Sequence, residues 1–220
     1  MSDEIVDRAH DFLRSHLAGR IRFDGDAIAI KVVVSPDGRL AAPVMVAMLR
    51  SVETVLELPD DAEQSLHLMV SLEAFDEHGP EGGRADRWRI YHGDPPDVRW
   101  AVMRIDAARF EGHFIDGEAL ERPNELAALE PMLLRRLNHG DRALLRRACD
   151  SANLASEAPV AVGIDERGID VRRAFEVVRL RFPEPLSANS LDASAAATDA
   201  RAEQTADAAL RAVERSLSPS

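Results

Sequence analysis

The chain has 220 residues, and 39 acidic residues against 27 lysines and arginines give it a net charge of −12. This balance argues against a protein that coats nucleic acid, because such proteins need an extended basic surface. No segment approaches the roughly 20 apolar residues of a membrane span, and the acidic N-terminus lacks the basic and apolar regions of a signal peptide. The single cysteine, Cys149, excludes an intramolecular disulfide and is interpreted as a small core residue. We therefore expect a soluble cytoplasmic protein that binds something small, without a nucleic-acid or membrane partner.

The first part of the chain predicts one helix followed by antiparallel strands. Ile5, Ala9 and Leu13 recur at helical spacing, so residues 3–18 are predicted as a helix. Alternating or β-branched stretches then predict strands at residues 27–34, 40–48, 52–58, 65–75, 87–92 and 98–106. Asp37-Gly38 supplies the turn of a hairpin. So many antiparallel strands with few helices favour a barrel, which leaves no long edge exposed.

The composition changes near residue 122. Residues 122–154 predict two helices on either side of Asn138 and His139, and short strands follow over residues 161–185. A helix pair with a small sheet forms a plausible α+β module. Residues 185–200 are predicted as a linker and residues 198–217 as a terminal helix. The predicted domains are residues 1–121, 122–186 and 187–220.

The common catalytic signatures are absent from the sequence. It contains no glycine-rich dinucleotide fingerprint, P-loop, paired-histidine zinc helix or nucleophile elbow. The carboxylates are scattered, and none pairs convincingly as acid and base. The sequence therefore predicts no reaction and leaves open whether the protein is an enzyme.

Arginines concentrate near the end of this acidic chain. Residues 131–181 hold ten arginines against seven acidic residues, and Arg172, Arg173, Arg179 and Arg181 lie within one short stretch. The planar guanidinium binds carboxylate or phosphate through two parallel hydrogen bonds. One interpretation is that these arginines bind an anionic ligand; the other is that they pair with carboxylates of the barrel and join the two domains.

Three histidines are candidates for binding a metal or cofactor. His113 follows the last predicted barrel strand in FEGHFIDG and is the strongest candidate. His139 lies in the turn between the two helices, and His67 lies on the minor face of a predicted strand. The alternative for each is an ordinary hydrogen-bonded surface or core residue.

Several stretches resemble the FMN-binding split-barrel superfamily. In the barrel they are PDGRLAAPVMVAM, SLHLMVSLEAF and RWRIYHGDPPDVRWAVMRIDAARFEGHFIDGEAL. In the second module they are LEPMLLRRLNHGDRALL and AVGIDERGIDVRRAFEVVRLRFPEP. The nearest resemblance is to the haem-utilisation branch, whose members often end in a small α/β domain.

The resemblance implies an α+β fold, in which an antiparallel split β-barrel is followed by a small α/β C-terminal domain and a terminal helix. It also implies a homodimer. Members of the superfamily bind FMN at the dimer interface, or bind haem and open its ring, or act without catalysis in tetrapyrrole metabolism.

Carried over to this chain, the resemblance predicts a haem-binding protein of haem degradation or tetrapyrrole handling. His113 or His139 would be the axial ligand, with His113 as the metal ligand, and Arg172 and Arg173 would pair with the propionates. FMN is predicted to be unlikely, because LRSVETVLELPDDAEQ is net acidic where flavin-binding members hold the phosphate, and Lys31 is the only lysine. The alternatives are a non-catalytic protein-interaction module and an FMN-dependent oxidoreductase of the pyridoxamine-phosphate-oxidase type.

Overall fold

The computed structural model describes residues 3–60, 62–95, 99–139, 142–154, 158–174, 176–182, 184–186 and residue 211. The chain divides after Pro123 into a first unit, residues 1–123, and a second unit, residues 124–220. The first holds a curled antiparallel half-barrel sheet with helices, and the second holds a small sheet. This confirms the predicted fold class. The predicted terminal helix at residues 198–217 lies outside the described residues, apart from Arg211.

The described part of the first unit contains three helices, eight strands and one short 3-10 turn, Gly117–Ala119. The helices are α1 (Asp3–Ser15), α2 (Val46–Arg50) and α3 (Gly82–His92). The strands are β1 (Ala18–Phe23), β2 (Asp26–Lys31), β3 (Val33–Val34), β4 (Leu40–Pro43), β5 (Thr54–Leu58), β6 (Leu66–Phe75), β7 (Trp100–Phe110) and β8 (His113–Asp116).

The strand order explains why the sheet curls. The order is β2-β1-β5-β6-β7-β4-β3, with β8 also paired to β7, and every pairing is antiparallel. The two ends of this path, β2 and β3, are separated in the chain by Val32 alone. A sheet whose first and last strands are consecutive in sequence must bend back on itself, as a barrel does.

Helix α3 covers the break between β2 and β3. At the break, the backbone carbonyls of Lys31 and Val32 accept hydrogen bonds from side chains of α3: Trp88 Nε1 donates to Lys31 O at 2.9 Å, and His92 Nε2 is 2.9 Å from Val32 O. Trp88 and His92 are four residues apart and share one face of the helix. The helix thus satisfies carbonyls that an interrupted strand would leave unpaired.

Four predictions about the first unit need correction. Residues 87–92 were predicted as a strand but form the end of α3, because Ala85, Trp88 and Tyr91 are buried at helical spacing while Ile90 is exposed. The predicted strand at 40–48 ends at Pro43 and gives way to α2. Strands β1 and β8 were not predicted; each lies beside a turn with positive φ angles.

The described part of the second unit contains two helices and a three-stranded sheet. The helices are α4 (Glu130–His139) and α5 (Arg142–Ser151), and the strands are β9 (Val160–Asp165), β10 (Gly168–Arg172) and β11 (Val177–Arg181). The strand order is β11-β10-β9. Leucines of both helices pack against apolar residues of the strands, and buried Cys149 belongs to this core, as its sequence interpretation predicted.

Candidate functional site

A cavity of about 660 Å³ lies in the first unit beside the break in the barrel. We call it the split cavity. Its walls come from the start of β1, the end of β2, the stretch from β4 into α2, and the end of α3. Its lining consists of residues 18–19, 28–31, 43–45, 48, 60, 88, 92 and 94. Most of these side chains are apolar, and the volume is within the range usual for small-molecule sites.

His92 lines this cavity, donates a hydrogen bond through Nε2 and can accept one through Nδ1. Its Nε2 lies 2.9 Å from Val32 O, and a carbonyl oxygen only accepts, so Nε2 carries the hydrogen and Nδ1 has a lone pair. Burial lowers the pKa of His92 to about 4, and the nearby charge of Lys31 acts in the same direction. The imidazole is therefore neutral near pH 7. Among the described residues, nothing donates a hydrogen bond to Nδ1.

The remaining polar side chains of the cavity are two carboxylates and one ammonium. Asp60 is paired with Arg20, whose Nε lies 3.0 Å from its Oδ1 and whose Nη2 lies 3.1 Å from its Oδ2. Asp94 is exposed and follows the end of α3. Lys31 is exposed at the end of β2. The cavity thus combines a largely apolar wall with a few polar groups, an arrangement that suits a largely apolar ligand with a few polar groups.

The structure places His113 on an exposed hairpin of the first unit. It begins β8 and pairs with Phe110 of β7, while Glu111 and Gly112 form the turn with positive φ angles. His113 is exposed and is not among the residues that line the split cavity. His67, on β6, contacts Ser65 Oγ through Nε2 at 2.9 Å, and the same nitrogen lies 3.9 Å from Glu57 Oε1.

The other predicted residues, His139, Arg172 and Arg173, belong to the second unit. His139 is the exposed last residue of α4, and Arg172 ends β10 opposite Val160. The side chain of the residue before His139, Asn138, bonds to Ala161 of β9. His139 and Arg172 therefore lie at the same end of the small sheet, whereas His113 belongs to the other unit.

Arg173 already has a neighbouring partner. Its Nη1 donates to Glu176 Oε1 at 3.2 Å, and its backbone amide donates to Glu176 O at 2.8 Å. Both bonds bridge the turn between β10 and β11. An exposed pair of this kind contributes little to stability, so an anionic ligand can displace it at small cost.

Arg179 has a role that neither sequence interpretation anticipated. Its guanidinium is 3% exposed and contacts Asp165 and, at 2.7 Å, Asp170. Both carboxylates belong to the same small sheet. Burial acts to lower the pKa of Arg179, but the charges of Asp170 and Asp165 outweigh it and hold that pKa above its ordinary value. Arg179 therefore stabilises the interior of the second unit and is not available to a ligand.

Comparisons with known proteins bear on the fold. No family profile matches the chain, and no curated protein matches it. A protein of unknown function from Agrobacterium tumefaciens has a TM-score of 0.67 at 19% identity, over 93% of this chain and 94% of its own. This chain shares that protein's fold.

Two further solved structures resemble the chain more loosely. A haem-binding protein from Mycobacterium smegmatis has a TM-score of 0.43 at 19% identity, over 94% of this chain and 98% of its own. A pyridoxamine 5'-phosphate oxidase-like protein from Listeria innocua has a TM-score of 0.39 at 14% identity, over 50% of this chain and 99% of its own. Neither superposes closely enough to carry an argument. The curled sheet and the second small sheet are themselves consistent with the predicted split barrel and small C-terminal domain.

Sequence reasoning missed the residues that line the split cavity. Lys31 was noted only as the single lysine, and Trp88 and His92 were assigned to a strand. The available signal was the spacing of Trp88 and His92, which places both rings on one face if the segment is a helix. Their contact with β2 was not predictable, because Trp88 and Lys31 are 57 positions apart.

The described residues contain no group of three or more His, Cys, Asp or Glu side chains that could hold a metal ion. A haem iron takes one or two protein ligands, so this finding leaves the prediction for His113 untested. None of the described helices is long and apolar enough to cross a membrane.

Proposed function

We propose that this protein binds a tetrapyrrole such as haem, and that the ring system occupies the split cavity. The observation that supports the proposal is the largely apolar cavity of about 660 Å³ with Lys31 at its wall. The macrocycle of a tetrapyrrole is flat and apolar, and its propionates are anionic. The described side chains fit both features: aliphatic residues for the ring and an ammonium for a carboxylate.

The iron of haem is less well matched by this cavity. His92 Nε2 is engaged with Val32 O, and only the more hindered Nδ1 has a lone pair to offer. When bound, haem supplies an iron centre for oxygen or electron chemistry. The resemblance gives an alternative location for the haem, with His113 or His139 as the axial ligand and Arg172 and Arg173 as partners of the propionates; none of these residues lines the split cavity.

The more specific parts of the function are also proposals. They are a role in haem degradation or tetrapyrrole handling, a homodimeric state and a cytoplasmic location. FMN remains an unlikely cofactor. The proposal assigns no catalytic reaction to the protein.

The test is a titration of the purified protein with haemin, followed in the Soret region. Ala29 is an exposed residue of β2 that lines the split cavity, and Ala27, two residues earlier on the same strand, does not line it. We expect saturation at one haem per chain, loss of binding in Ala29→Trp and retention in the matched control Ala27→Trp. A changed Soret position in His113→Ala or His139→Ala would identify that histidine as the axial ligand and favour the alternative location outside the split cavity.

Three results would change the proposal. Binding that survives Ala29→Trp but is lost in His113→Ala, His139→Ala or the double variant Arg172→Gln/Arg173→Gln would move the ligand out of the split cavity. Broad absorbance that does not saturate would eliminate haem and favour the protein-interaction module. Saturable binding of FMN in a parallel titration would favour the oxidoreductase alternative.

A further inference from the structure

Lys31 stands apart from the other charged groups of the split cavity. It is the last residue of β2 and the only lysine of the chain. Its backbone is held by the bond from Trp88 Nε1 to its carbonyl oxygen. Within the part of the chain that the structure describes, its ammonium makes no hydrogen bond or ion pair. Lys31 is therefore an exposed lining residue of the apolar cavity, and its three donors are available.

The other groups that face the cavity do not compete for this role. Asp60 is already paired with two nitrogens of Arg20, which does not itself line the cavity. His92 is neutral near pH 7, because burial and the nearby charge of Lys31 lower its pKa to about 4. Asp94 carries a negative charge at the exposed end of α3. Lys31 is therefore the cation that a ligand's anionic group meets first.

We infer that Lys31 anchors an anionic oxygen group of the ligand, a carboxylate in the case of a tetrapyrrole. The location of the ligand rests on the proposed function, and this inference adds a prediction about selectivity. The cavity binds apolar molecules that carry an anionic oxygen group more tightly than the same molecules without it. An ammonium is a compact point charge, and its hydrogen bonds to an anion strengthen beside apolar walls. Asp94 acts in the opposite direction by repelling the same group.

The first experiment compares two fluorescent probes with nearly the same aromatic body. Anilinonaphthalene sulfonate carries an anionic group, and phenylnaphthylamine does not. In Lys31→Gln we expect the affinity for the sulfonate to fall about tenfold relative to the unaltered protein. The affinity for the neutral probe should change by less than about twofold. Lys31→Arg retains the cation and is expected to retain the preference. An equal loss for both probes, or for neither, would overturn the inference.

Asp94→Asn supplies a matched control of opposite sign. Removal of the carboxylate is expected to tighten binding of the sulfonate by about twofold to threefold, since exposed charges interact weakly across water, and to leave the neutral probe unchanged. If Asp94→Asn weakened the sulfonate as Lys31→Gln does, a general disturbance of the cavity would explain both effects and the inference would fail.

Protoporphyrin and its dimethyl ester separate this inference from the proposed function. We expect the free acid to bind at least tenfold more tightly than the ester to the unaltered protein, and this preference to vanish in Lys31→Gln. Tetrapyrrole binding that is indifferent to Lys31 would overturn the inference and leave the proposed function standing. Sulfonate binding that depends on Lys31, with no binding of haemin or protoporphyrin, would keep the anchor and remove the tetrapyrrole.

Discussion

His92 is a residue whose protonation state follows from where the helix places it. Burial lowers its pKa from 6.5 to about 4, the Lys31 charge adds to that, and the bond to Val32 O partly opposes it. The folded chain therefore binds fewer protons here than the unfolded chain does between those two pKa values. The stability that His92 contributes is complete above pH 6.5 and is lost as the pH falls toward 4.

We expect the free energy of unfolding to fall by about 3 kcal/mol over this window because of His92. The measurement is urea denaturation at a series of pH values. In His92→Gln, whose amide keeps a donor for Val32 O, the slope between pH 6.5 and 4 should be much shallower. Asp37, whose pKa is lowered well below its ordinary 3.8, titrates below this window and does not confuse it. An unchanged slope in His92→Gln would show that His92 is accessible to protons in the folded state.

Arg179 illustrates the opposite situation, a charge kept in the interior. Its side chain is 3% exposed, and those of Asp165 and Asp170 are 5% and 1% exposed. In Arg179→Met, two buried carboxylates lose their cation, and we expect a loss of roughly 3 to 5 kcal/mol in the free energy of unfolding. Arg135, exposed on α4, provides the control: Arg135→Ala should change stability by less than about 0.5 kcal/mol. Similar losses in both variants would contradict a special role for the buried group.

At the scale of elements, the hairpin turn between β3 and β4 was predicted from Asp37-Gly38, but its packing was not. Gly38 has a φ of +89°, and a Cβ there would lie 2.6 Å from Arg122 N. Asp37 also accepts two hydrogen bonds from Arg84 of α3, at 2.8 and 2.9 Å. The turn therefore contacts both α3 and the segment around Arg122, where the first unit ends.

Gly25 gives a control that isolates this packing. Its φ is +88°, but among the described residues beyond its chain neighbours no atom lies within 4 Å of the point that a Cβ would occupy. Both Gly25→Ala and Gly38→Ala carry the backbone strain of about 1 to 2 kcal/mol, and Gly38→Ala adds a steric conflict of roughly 1 to 3 kcal/mol. Denaturation of the two variants should show the larger loss in Gly38→Ala. Equal losses in the free energy of unfolding would mean that the backbone around Arg122 shifts to accommodate the Cβ without destabilising the protein.

The elements that the sequence predicted best are those with a strict local pattern. Strand β6 alternates buried and exposed residues from Leu66 to Val70, and its predicted range was nearly correct. The stretch around Trp88 and Ile90 fitted a strand over six residues, and only the burial of Ala85, Trp88 and Tyr91 distinguishes a helix. Short windows do not separate these two periods.

The edge of the small sheet shows what a local pattern cannot reveal. β9 has β10 on one side, and on the other side its backbone bonds to side chains from before and within α4. Asn138 bonds to both backbone groups of Ala161, at 2.8 and 2.9 Å. Glu130 accepts from Ile164 N at 3.1 Å, and Asn124 donates to Ile164 O at 2.9 Å. These polar residues looked like ordinary helix and turn residues, because their partners lie 23 to 40 positions away.

At the scale of the whole molecule, the homodimer implied by the resemblance needs an interface. On the outer face of the large sheet, Met69 pairs with Val55 and Ala107 across β5, β6 and β7. Phe114 of β8 lies on the same face, since it is two residues from Asp116, the register partner of Ala107. Met69 is 57% exposed and Phe114 is 78% exposed. Exposed apolar side chains grouped on one sheet face are typical of protein interfaces.

We expect this face to associate with a second copy of itself, so that Phe114→Glu places a charge in the contact and shifts the protein from dimer to monomer. Sedimentation velocity over a range of concentrations measures the shift. Ile90, which is 52% exposed on α3, supplies the control, because Ile90→Glu adds the same charge at another exposed apolar residue away from this face. An isologous contact must bury the same residues on both copies. This face is therefore excluded as the interface if the unaltered protein is monomeric. It is also excluded if Ile90→Glu dissociates the dimer and Phe114→Glu does not.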